Sequence, residues 1–141
     1  METLYDKALS WLEDNATNTC VLKEGRIIGA TINDTPVCCY FSPDDDGYFS
    51  IHFQPLSGKL FSDVDPKLLA NRITHVHKCI KCYIENNGDI ALTVEVLCCP
   101  DPDLDVIFPR SVTMLLFAAK NLLKAKDMTP FLQCLNSRRA G

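Results

Sequence analysis

The sequence is poor in glycine, and it has no loop built to cradle phosphate. Six glycines are spread over 141 residues, and neither a P-loop nor a G-x-G-x-x-G run occurs. No G-x-S-x-G or Q-A-C-x-G signature marks a nucleophile. Positive charge is not in excess either. Fourteen Lys and Arg face eighteen Asp and Glu, for a net charge of −4. That balance argues against a broad nucleic-acid footprint. Long hydrophobic runs are missing: the longest, 112–119, falls far short of the ~20 residues that cross a bilayer. The first residues carry Glu2 and Asp6 where an export signal would carry bases. Together these absences lead to the expectation of a cytoplasmic protein that engages neither nucleic acid nor membrane.

What is present describes a folded chain. The apolar share is 47% and the charged share 23%, close to an ordinary globular protein and unlike a disordered one. The length fits one domain spanning 1–141. Cysteine is the unusual abundance, with eight residues. In a reducing compartment they are expected as free thiols, each a small buried hydrophobe.

Periodicity orders the elements. Leu4, Ala8, Trp11 and Leu12 mark one face of a first helix, with Thr3 as N-cap and Asp6 three residues on. Three strand-like runs follow at 20–22, 27–32 and 37–41, then an acidic loop at 42–47 and an alternating run at 48–53. Asp65-Pro66 reads as cap and first position of a second helix with Leu69, Ile73, Val76 and Ile80 inward. The runs 81–85 and 90–97 flank Asn86-Asn87-Gly88-Asp89, a hairpin signal of the type I′ kind. A third helix is expected from Pro109, with Val112, Leu115, Leu116, Ala119, Leu122 and Leu123 as its stripe. A fourth is expected from Thr129 and Pro130, with Phe131, Leu132 and Leu135 inward. The order α-β-β-β-α-β-β-α-α implies an α+β fold, with an antiparallel sheet of about five strands and helices packed on one face.

Two constellations carry candidate chemistry. His75-x-His77-x-Cys79-x-x-Cys82 contains four zinc-ligating residue types. However, His77 leaves the helical face of His75, Cys79 and Cys82, and no second Cys-x-x-Cys pair completes a site. Cys79-x-x-Cys82 also lies near a helix C-terminus, where the dipole disfavours a thiolate. The expectation is therefore no cofactor and no catalytic residue, with His75, His77, Cys79 and Cys82 kept as the metal or thiol alternative. The second constellation is apolar. Phe108, Met114, Phe117 and Met128 exceed what one stripe of a terminal helix needs, and Met-rich, aromatic surfaces suit protein recognition. They are the candidate protein-binding residues.

The element order, with the segments 4–12, 21–53, 68–73, 82–96 and 109–124, resembles the YbjN-like family of bacterial sensory-transduction regulators. It is similar as well to the type III secretion chaperones. The resemblance covers nearly the whole chain by pattern and rests on no residue motif. It implies an α+β sandwich without catalytic residues that works through protein contacts. The implied partner is another protein or a secreted effector, and homodimers are expected. The eight cysteines depart from both patterns.

Overall fold

Local turn chemistry sets the strand boundaries. Asn33 and Asp34 both take positive φ, at 49° and 63°. That is the type I′ geometry of a two-residue hairpin, and it brings Ile32 opposite Thr35. Gly25 at φ 73° closes the preceding turn, where the Arg26 N–H donates to the Lys23 carbonyl. Thr3 and Asp6 form a reciprocal capping box at the head of α1, Leu4–Asn15. The Asp65 side chain accepts from the N–H groups of Lys67 and Leu68 at the head of α2, Pro66–Val76.

The computed structural model describes residues 2–61 and 63–127. The strands are β1 (Thr17–Lys23), β2 (Ile27–Ile32), β3 (Thr35–Phe41), β4 (Tyr48–Phe53), β5 (Ile80–Ile84) and β6 (Ile90–Leu97). They form one antiparallel sheet in the order β1-β2-β3-β4-β6-β5. The α+β class, the antiparallel pairing and the helices on one face follow the expectation from sequence. The sheet has six strands instead of about five: every strand-like run in the sequence, 48–53 included, pairs into it.

Register fixes what each face carries. Ile28, Cys39, Ile51, Val94 and Ile80 are cross-strand neighbours in one row, and all five are buried. Above them lie α1 on β1 and β2, and the long helix α3 (Leu104–Asp127) on β4, β5 and β6. Each such aliphatic or aromatic side chain contributes roughly 1.5–3 kcal/mol on burial. Trp11 ties α1 to α3: its ring stacks on Phe108 at 4.8 Å, and its indole N–H donates to Asp105 at 2.7 Å. The next row, Gly29, Cys38, His52, Thr93 and Lys81, points the other way.

The two sheet edges differ. The Thr74 hydroxyl of α2 donates to the Cys82 carbonyl at 3.2 Å and accepts from the Cys82 N–H at 2.9 Å, so it occupies the outer edge of β5. The outer edge of β1 lies in a mostly exposed strand with two register irregularities and Asn18 at φ 54°.

Three sequence expectations are corrected. The third helix begins at Leu104, not Pro109, and Pro109 sits inside it. Leu104, Phe108, Val112, Leu115, Ala119 and Leu122 form one buried stripe, and that packing outweighs the hydrogen bond that proline removes. The second helix stops at Val76, which is exposed, and Ile80 belongs to β5. The 85–89 hairpin has only Gly88 at positive φ, with the Gly88 N–H bonded to the Glu85 carbonyl. It is a type I turn followed by a left-handed glycine, not type I′. The expected fourth helix, with Thr129, Pro130, Phe131, Leu132 and Leu135, lies outside the described residues.

Candidate protein-binding groove

The end of α2 and the middle of α3 are locked together, and their junction shapes a groove. The His77 ring meets Phe117 edge-on at 5.5 Å, and its Nε2 lies 3.0 Å from the Asn121 amide. The chain then turns through Cys79 at φ 63° into β5. Because α2 ends there and α3 continues, a trough opens between α3 and the end of β6. Val76, Leu97, Val106, Ile107, Met114 and Phe117 line it, and its volume is about 860 Å³.

Its walls are apolar and open to water. Leu97 is 83% exposed, Phe117 61%, Val76 53% and Val106 51%. Isolated exposed apolar residues are ordinary, but a contiguous set around a concavity marks an interaction surface. Lys78, Arg110 and Glu95 supply the charged lining. The trough follows α3 from Val106 to Phe117, about 16 Å or three helical turns. By length and composition alone, Leu104–Lys124 could also cross a membrane, but its inner stripe is part of the core.

The expected binding residues separate. Met114 and Phe117 line the groove. Phe108 does not: it is fully buried between Trp11 and Phe49, so its expected surface role is corrected. Met128 lies outside the described residues. Val76, Leu97 and Val106 were missed, because the groove is made where separate elements meet and no local period announces it.

The metal and thiol alternative does not assemble. His75 and Cys79 are exposed, while Cys82 is buried on the core face. His77 is engaged by Asn121 and Phe117. No group of three or more potential ligands that could hold a metal occurs among the described residues. Burial pushes the Cys82 thiol up to about 11, which keeps it protonated and unreactive.

One pairing escaped the sequence reading. Ser50 Oγ lies 2.8 Å from His52 Nε2 on the face that no helix covers among the described residues. That is the distance of a nucleophile from its base. Yet Ser50 is only 6% exposed, so its hydroxyl is not presented to a substrate. The i, i+2 spacing within an alternating strand was the signal that could have found it. Comparison of the chain with protein-family models, curated proteins and solved structures finds no match.

Proposed function

We propose that this protein is a non-enzymatic protein-binding module whose groove between α3 and β6 receives an apolar segment of a partner polypeptide. The observation that carries the reading is the contiguous exposed apolar lining formed by Val76, Leu97, Val106, Met114 and Phe117. A trough about three turns long suits an amphipathic helix presenting apolar residues at i, i+4 and i+7. Lys78 and Arg110 on the lining favour acidic residues beside that apolar stripe. Met114 and Phe117 supply an adaptable floor. This is regulator or chaperone work of the kind implied by the resemblance to the YbjN-like family and the secretion chaperones. It fits a cytoplasmic protein whose partner is another protein, a secreted effector or a second copy of itself. The exposed edge of β1 offers a further means of attachment through strand pairing.

Peptide display against the folded protein tests the proposal. Selected binders should share apolar i, i+4, i+7 spacing with acidic flanks. Phe117→Asp, at an exposed position, should weaken them by about tenfold or more while leaving the fold intact. Binders that ignore Phe117→Asp, or that lack helical spacing, would refute the groove reading.

A further inference from the structure

The sheet face opposite α1 and α3, which no helix covers among the described residues, holds a second concavity apart from the groove. Pro36, Cys38, Tyr40, His52, Gln54 and Glu85 line a pocket of about 250 Å³. The Tyr40 and His52 rings lie 4.3 Å apart at 52°. Tyr40 is 40% exposed, so part of its ring faces solvent. Ser50 holds His52 by its Nε2, which fixes the imidazole plane. Burial lowers the His52 pKa, so the ring is neutral at pH 7.

Glu85 sits at the pocket rim just beyond β5 and is partly buried. The one base on β5, Lys81, is taken up elsewhere. Its Nζ lies 3.7 Å from Glu95 and over the Tyr83 ring at 5.7 Å. Among the described residues, no cation and no hydrogen-bond donor meets the Glu85 carboxylate. Its charge reaches the neighbouring phenols. The Tyr40 and Tyr83 hydroxyls are pushed up first by burial, and Glu85 adds to both shifts.

We infer that this pocket is a binding site for a guanidinium or ammonium group, held against the exposed ring of Tyr40 beside His52 and neutralised by the carboxylate of Glu85. The chemistry follows from the lining. An aromatic face attracts a cation through its quadrupole, and a partly desolvated carboxylate strengthens that attraction. Pro36 carries no charge and no backbone N–H, so it competes for neither group. The volume is enough for a whole arginine or lysine side chain, so selectivity falls to Tyr40 and Glu85. The same chemistry comes either from a free small amine or guanidine or from a basic side chain on another polypeptide.

Titration of the whole protein with methylguanidinium chloride, followed by the ring resonances of Tyr40 and His52, tests the assignment. Saturable shifts should appear with a dissociation constant of about 10 mM or tighter. A capped Gly-Arg-Gly peptide in a parallel titration separates the two sources. Tighter binding of the peptide assigns the pocket to side chains, and equal binding assigns it to free cations. Glu85→Gln should weaken either probe by about fivefold to tenfold, and Tyr40→Leu by about threefold. Neutral N-methylacetamide should leave both rings unmoved. The inference fails if neither ring responds to methylguanidinium, if N-methylacetamide shifts them equally, or if folded Glu85→Gln binds like the parent.

Discussion

The two faces of the sheet differ in what their side chains are there to do, and adjacent residues show it. Cys39 points to the helix layer and is fully buried, while Cys38 points to the opposite face and is half-buried. Phe49 stacks on Phe41 and touches Phe108, while its neighbour Tyr48 reaches Glu95 at 3.4 Å. One face is close-packed and apolar. The other is a sparse layer of tyrosines, His52 and paired charges. Side chains on the first fill space and supply stability. On the second, Tyr40 and the charged side chains stay open to solvent while Ser50 and Thr93 are buried, and a cation pocket can form there without disturbing the core.

The most severe challenge to this contrast is truncation at the adjacent pair. Phe49→Ala should cost about 3–5 kcal/mol, measured by urea unfolding. Tyr48→Ala should cost below about 1 kcal/mol. Similar losses from both would erase the distinction between the faces. The cysteine pair gives a middle-sized effect. Cys39→Ser buries a hydroxyl among aliphatic groups and should cost about 1–3 kcal/mol, whereas Cys38→Ser should stay within about 0.5 kcal/mol. Thiol labelling sharpens the same point. Cys38 should react with a maleimide in the native state, and Cys39 only after unfolding. The smallest effect is a pH dependence. Burial lowers the pKa of His52, and of His77 as well, from the ordinary 6.5. The unfolded chain therefore binds these protons more readily, so stability is full above pH 6.5 and declines as the pH falls through that value. Unfolding midpoints at pH 7.5 and 5.5 should show the decline, and His52→Gln should reduce it. A midpoint that rises on acidification would contradict a lowered pKa at the half-buried imidazole.

Much of the fold was legible because local signals and long-range packing agree. Thr3 with Asp6 and Asp65 with Pro66 each set a boundary through its own backbone chemistry, and the structure uses both. Pro109 misled because proline favours a helix start, whereas here an unbroken apolar stripe through Leu104 and Phe108 carries the helix upstream of it. The same error placed Phe108 on a surface. Met114 and Phe117 were legible as surplus apolar residues on α3. Val76 and Leu97 were not, since their exposure depends on where α2 and β6 end. The pocket of Tyr40, His52 and Glu85 draws on β3, β4 and the turn after β5, and only the sheet's strand order brings those residues together.

The threonine clamp on β5 has a consequence for assembly. A sheet with two bare margins can add copies indefinitely and polymerise, as in fibrils. Here Thr74 takes the backbone N–H and carbonyl of Cys82 at the middle of one margin, so that margin is less open to extension than β1. Two chains that joined at β1 in a symmetric antiparallel pair would each use up their more open margin. A symmetric pairing of that kind would close at two copies, with the Thr74 clamp at each outer end.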